Sequence, residues 1–136
     1  MNRREAREAA LGLVFEKSFK LDESCEKLYA AAMENRELED DAYARRVLDG
    51  IFESGNLEKI DSLITECAKG WKLSRMSKVS LSIMRICVYE MLYEDDIPEN
   101  VSLNEAVELA KKFDHDDAPA FVNGVLNAVY KKLSSK

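Results

Sequence analysis

One histidine, and no Cys-x-x-Cys pair, leave this 136-residue chain short of the usual catalytic bases and zinc ligands. His115 stands in Asp114-His115-Asp116-Asp117, which reads as a polar turn between helices, with acids that favour the N-terminus of the next helix. Cys25, Cys67 and Cys87 are far apart and odd in number, so they read as buried thiols in a reducing compartment. No Gly-rich phosphate loop and no His-Glu-x-x-His sequence occurs. Carboxylate pairs abound, but a solvated helix face carries them anyway. These absences predict a protein that is not an enzyme and holds no metal or cofactor.

Other things are scarce too. No apolar run reaches the length of a bilayer crossing. Met1-Asn2-Arg3-Arg4-Glu5 turns acidic too early for a signal peptide and has no apolar stretch behind it, so a cytoplasmic protein is expected. Five glycines and two prolines leave few helix breakers. The net charge of -6 weighs against a nucleic-acid partner unless the cations gather on one face.

What is present is helical periodicity, over a length that suits one domain (residues 1–136) with a single core. The spacing predicts a first helix over 3–19, with Ala6, Ala10, Leu13 and Val14 in one stripe that Leu11 and Phe15 widen. A second over 22–34 takes Asp22 as its cap and turns Leu28, Ala31 and Ala32 inward. The polar break 34–41 places acids before a third helix over 40–54, with Ala44, Val47, Leu48, Ile51 and Phe52 inward. Gly55 suits a left-handed helix end and Asn56 a cap for the fourth helix, which ends at Gly70. The fifth, over 74–94, is apolar on most sides and so central. Pro98 ends the approach to a sixth over 102–113, with Val107 and Phe113 among its inner residues. A seventh starts near Ala118, with Asp117 as cap and Tyr130 on its inner face. The expected fold is an all-α bundle of about seven helices.

Polar residues inside these helices are the candidates for function. Arg3 and Arg7 are four apart and share a face, with Arg4 about 100° around. Forked guanidiniums there can grip phosphates, or Arg4 can pair with Glu8. Phe121, near a helix start, either joins the core or stacks a base. Asn123 points away from Val122, Val125 and Leu126, toward a neighbouring turn or a base edge. Gly124 costs about 1 kcal/mol inside a helix, so a close neighbour is expected there, a helix first and RNA second. If helix ends converge, Lys111, Lys112, Lys131 and Lys132 join the arginines in one basic face, and the acids of 34–41 and 94–99 face a basic partner.

Four blocks in order resemble one family. They are Arg3-Arg4-x-x-Arg7-Glu8-x-Ala10-Leu11, Ile83-Met84-Arg85-Ile86-x-x-Tyr89-Glu90-Met91, Ile97-Pro98-x-x-Val101 through Lys111, and Phe121-Val122-Asn123-Gly124-Val125-Leu126. Over nearly its whole length the chain resembles the NusB family of bacterial transcription antitermination factors.

The resemblance implies an all-α factor that binds single-stranded boxA RNA of ribosomal leader transcripts together with NusE, a small-subunit ribosomal protein. The pair then joins other Nus factors on RNA polymerase. It also implies an RNA surface at Arg3, Arg4 and Arg7, and at Asp117, Phe121 and Asn123, with Asp117 limiting affinity by repelling phosphate. Glu5 interrupts an arginine run that is unbroken in some members, which predicts weak RNA binding without the partner. Two other readings stand beside this one. The same fold occurs as an N-terminal domain of ribosomal RNA cytosine methyltransferases, for which this chain has no room before Lys136. The other is a purely protein-binding helical module, such as a homodimer hiding its RNA face.

Overall fold

The computed structural model describes residues 2–35 and 39–135. Among them the chain forms seven α-helices, a short 3-10 turn at Leu73–Arg75 and no strand. The helices are α1 (Arg3–Ser18), α2 (Cys25–Glu34), α3 (Ala42–Phe52), α4 (Leu57–Cys67), α5 (Lys78–Tyr93), α6 (Glu99–Phe113) and α7 (Ala118–Ser134). As its composition predicts, α5 is the axis: every side chain from Ser80 to Glu90 is buried. Helices α1, α3, α4, α6 and α7 all pack against it, while α2 is held by α1 and α3.

Caps explain where the starts differ from the periodicity. Helix α2 begins at Cys25, because Ser24, and not Asp22, accepts the Lys27 N–H. Asp41 accepts the Ala44 N–H at 2.9 Å and starts α3. The 3-10 turn delays α5 from Ser74 to Lys78, where Ser77 Oγ accepts the Ser80 N–H at 2.9 Å. Pro98, with φ at -60°, lets α6 begin at Glu99, one turn before the expected start. Asn56 precedes α4 without capping it, since its amide donates to the Gly50 carbonyl at 2.8 Å. Gly55 and Gly70 do take positive φ, +75° and +85°.

The inner faces hold with a few exceptions, Phe15 of α1 among them. Ala31 is exposed, and Tyr29 is buried in its place, its hydroxyl donating to Asp40 and accepting the Asp41 N–H. Phe113 and Tyr130 are exposed, and Val107 is half-buried. The expected acidic surface is also incomplete. Glu94 is buried against the Arg46 guanidinium at 2.7 Å and the Tyr89 hydroxyl at 2.9 Å, and residues 36–38 lie outside the described residues.

Polar groups on α5 tie the bundle together. Glu90, 1% exposed, accepts both Arg7 donors from α1 at 3.0 and 3.1 Å. It also accepts the Tyr43 hydroxyl from α3 and the Ser102 hydroxyl from α6. Further toward the N-terminus of α5, Arg85 donates to Asp61 of α4 at 2.9 and 2.8 Å and to Ser18 of α1 at 3.1 Å. Among the described residues no buried side-chain polar atom lacks a partner.

Arg7→Ala removes the one cation facing a buried carboxylate and is expected to cost about 3–5 kcal/mol. Adding Glu90→Gln removes the stranded charge but keeps an acceptor for Tyr43 and Ser102. The double variant should therefore unfold in urea at a higher midpoint than Arg7→Ala alone. A lower midpoint would mean that the pair does not carry this junction.

Candidate nucleic-acid interface

The α1 end of the surface begins with a cap. Asn2 Oδ1 accepts the Glu5 N–H at 2.8 Å, and Glu5 Oε1 accepts the Asn2 N–H at 3.0 Å. Glu5, which interrupts the arginines, is thus the acidic half of a capping box, and Asn-x-x-Glu was the signal for it in the sequence.

The three arginines differ in exposure and main partner, although Arg7 also comes within 3.8 Å of Glu105 and 5.8 Å of the Tyr43 ring centroid. Arg3 is exposed, its guanidinium 4.8 Å from the Tyr43 ring centroid, with no ion pair among the described residues. Arg4 lies along Glu105 of α6, Nη2 to Oε2 at 2.8 Å. That contact, more than any other, holds the Glu105 carboxyl below its ordinary range. Arg7 is 4% exposed and consumed by Glu90, so it does not share an open face with Arg3. Glu8 pairs with Lys112 of α6 at 2.8 Å and not with Arg4. The pairs Arg4–Glu105 and Glu8–Lys112 bridge a groove between α1 and α6, two helices running the same way. Lys111 pairs with Glu108 at 3.1 Å, and Lys132 pairs with Glu66. Most cations expected to form a basic face are therefore matched by acids in place.

The α7 end is built on Asp114, the residue that closes α6. Its carboxylate accepts the Ser77 and Ser80 hydroxyls at the start of α5, each at 2.6 Å, and the His115 N–H at 2.8 Å. Burial acts to raise its pKa, but these hydrogen bonds outweigh burial and hold it below the usual range. Asp114 is thus a structural anchor and not part of a solvated turn. Beyond it, Asp117 precedes α7 with no side-chain cap bond. Asp117 and Phe121 line a cleft of about 440 Å³ with Trp71, Arg75, Met76 and His115. The Phe121 and Trp71 rings meet edge to face, their centroids 5.4 Å apart.

Asn123 lies on the exposed side of α7, and its carbonyl and side-chain oxygen both accept the Asn127 amide at 2.9 Å. Gly124 is exposed beside it, and a Cβ there would meet nothing within 4 Å. The helix expected against Gly124 is absent among the described residues. The cleft and the arginines are not contiguous. Arg7 meets α5 at Glu90 and the cleft meets it at Ser80, about 15 Å along a helix that rises about 1.5 Å per residue.

Trp71 and Arg75 were missed by the sequence reading. Both belong to the α4–α5 connector, where Lys69 and Gly70 take φ of +21° and +85°. The signal was the single tryptophan beside a glycine, flanked by Lys69 and Lys72. No group of three or more potential metal ligands occurs among the described residues.

Known proteins share this fold. The chain matches the NusB family over residues 4–131. It is 44% identical over 133 residues to the transcription antitermination protein NusB of Ruminiclostridium cellulolyticum, covering 96% of this chain and 90% of that one. With NusB of Clostridium acetobutylicum it is 44% identical over 138 residues, covering 100% of both. The fold superposes on a T. maritima NusB structure with a TM-score of 0.83 at 35% identity, covering 97% of this chain and 92% of the other. A structure of antitermination factors NusB and NusE in complex with dsRNA matches with a TM-score of 0.82 at 26% identity, covering 96% of each chain.

Two outcomes follow from this geometry. Gly124→Ala fills open space on a helix and should stabilise the protein by about 0.5–1 kcal/mol, read as a higher urea midpoint. A lower midpoint would place an atom where the structure has none. The second concerns acid. Glu94, Glu105 and Asp114 all have folded pKa values below their unfolded ones. Their stabilisation is complete above the ordinary carboxylate range, about pH 4, and is lost as pH falls through the folded values. Urea midpoints should hold from pH 7 to about 5 and then drop. Asp114→Asn should flatten part of that drop.

Proposed function

The chain belongs to the NusB family, and we propose that it is a non-enzymatic transcription antitermination factor that binds boxA RNA of ribosomal leader transcripts together with NusE. The observation that carries this reading is a fold shared over nearly the whole chain with a protein solved in complex with NusE and RNA. In the cell it works in the cytoplasm, within an assembly of other Nus factors and RNA polymerase. No helix among the described residues is long and apolar enough to cross a membrane.

RNA contacts are assigned to Arg3, with Arg4 at its side, and to Asp117, Phe121 and Asn123. Arg3 is exposed and has no ion pair among the described residues, so it is the first phosphate ligand. Arg4 must exchange Glu105 for phosphate and contributes less. Arg7 acts through Glu90, holding the start of α1 in place. Phe121 offers a ring to a base, and Gly124 and Asn123 leave backbone and amide open to an approaching strand. Asp117 puts a negative charge beside that path and limits affinity.

NusE needs a surface of its own. Phe15, Phe19, Leu21 and Phe113 are exposed at 36, 60, 60 and 44%. Phe15 and Phe113 line a shallow cleft of about 220 Å³ with Leu11 and Val79, between α1 and α6. An aromatic strip of this kind suits a protein partner better than RNA. RNA and NusE thus meet neighbouring surfaces, and each raises the effective concentration of the other. The same strip would serve if two copies paired, which sedimentation without NusE would reveal.

Fluorescence anisotropy with boxA RNA against a scrambled RNA tests the assignment. Arg3→Ala should keep the urea midpoint and reduce the salt slope by about 0.7, one phosphate on a single strand. Asp117→Asn should tighten binding about threefold, the effect of one charge at roughly 7 Å in water. An unchanged slope with the first variant, or weaker binding with the second, would move the RNA elsewhere.

A further inference from the structure

The longest stretch of this chain without an acid runs from Cys67 to Tyr89, on a protein of net charge -6. Its first part, the connector between α4 and α5, carries Lys69, Lys72 and Arg75, and Lys78 follows at the first position of α5. All four are exposed, and none has an ion pair among the described residues. Elsewhere Arg4, Arg7, Lys20, Arg46, Arg85, Lys111, Lys112 and Lys132 each face a carboxylate, while Arg3, Lys17, Lys27, Arg45, Lys59 and Lys131 have no ion pair among the described residues. What sets this segment apart is that its four unpaired cations lie close together in sequence with no acid among them. The same segment carries Trp71, 51% exposed, with one ring edge toward Phe121. Between and below these rings lies the cleft of about 440 Å³ that Arg75 and Ser77 also line.

We infer that the α4–α5 connector is a second RNA-contacting segment, in which Trp71 and Phe121 wall a cleft for an unpaired base while Lys72 and Arg75 hold the flanking phosphates. This rests on the RNA-binding reading above and deepens it. Single-stranded RNA is recognised by aromatic rings that take unstacked bases and by cations that follow the backbone. The connector supplies both within five residues, Trp71 to Arg75. Beyond its edge contact with Phe121, Trp71 leaves about half of its surface open beside unpaired cations. Ser77 and Ser80 on the cleft floor are committed to Asp114, so the floor is rigid. The site then receives RNA on both sides: Phe121 from α7, Trp71 from the connector.

Trp71 is the one tryptophan in the chain, so its emission reports on this cleft alone. The test is a titration of the full chain with fluorescein-labelled boxA RNA at low salt. Anisotropy reports RNA binding, and parallel titration with unlabelled RNA reports Trp71 emission. Quenching that tracks the anisotropy curve is the expected result. Trp71→Ala should weaken binding roughly 5- to 150-fold, the range for one lost base stack, and Trp71→Phe should retain most of it. Lys72→Gln with Arg75→Gln should reduce the salt slope by about 1.4. Rising anisotropy with unchanged Trp71 emission, and full affinity in Trp71→Ala, would overturn this assignment and leave the RNA-binding reading standing. No rise in anisotropy for the unsubstituted protein, at concentrations where its partnered form binds, would overturn both the cleft and independent RNA binding. Circular dichroism of each variant confirms that a lost signal is not a lost fold.

Discussion

Everything at the α1 end of the molecule hangs on one buried carboxylate. Glu90 sits in the helix that five others pack against, and it collects donors from three of them: Arg7 of α1, Tyr43 of α3 and Ser102 of α6. An unpaired charge at 1% exposure would cost several kcal/mol, so those three helices are fixed in register around it. Burial, and then the charge of Glu90, pushes the Tyr43 phenol up, which keeps it a donor at any physiological pH. The Arg3 guanidinium lies 4.8 Å from the centroid of the same Tyr43 ring. The exposed arginine is therefore positioned by the network that its buried neighbour holds together.

A second anchor works at the opposite end of α5. Asp114 gathers the hydroxyls of Ser77 and Ser80 and the N–H of His115, binding the α6–α7 turn to the start of α5. Phe121 and Asp117 follow directly on that turn. Between the two anchors lies the α1–α6 groove, closed by Arg4–Glu105 and Glu8–Lys112 and opening onto the aromatic strip of Phe15 and Phe113. A negatively charged protein can hold RNA where cations stand without an ion pair among the described residues, as Arg3 and the connector cations do. Net charge describes the whole surface; binding depends on which charges remain unmatched.

Much of this could be read from the sequence, and what could not has a common cause. Helix number, order and the central place of α5 follow from apolar spacing and scarce breakers. Caps were harder, since Ser24 competes with Asp22 and Ser77 with Ser74, and only tertiary packing selects between them. Arg3 and Arg7 do share a helix face by spacing, but that face points partly into the core, which spacing cannot tell. Long-range pairs such as Arg4–Glu105 and Glu8–Lys112 join residues that are local neighbours of other acids and bases, so the i,i+4 rule chose Arg4–Glu8 instead. Trp71 was passed over because a connector has no periodicity to interrupt. Its meaning appears only when α7 brings Phe121 beside it.

The central claim is that two anchors on α5 divide the surface, one region for RNA and an adjacent one for NusE. Backbone amide chemical-shift mapping tests it most directly, with boxA RNA and NusE added separately to isotope-labelled protein. RNA should shift residues at the start of α1, in the α4–α5 connector and at the start of α7. NusE should shift Leu11 to Phe19, Val79 and Phe113, and both should leave the amides around Glu90 unmoved. Coincident maps for the two ligands, or RNA shifts centred on the aromatic strip, would contradict the account.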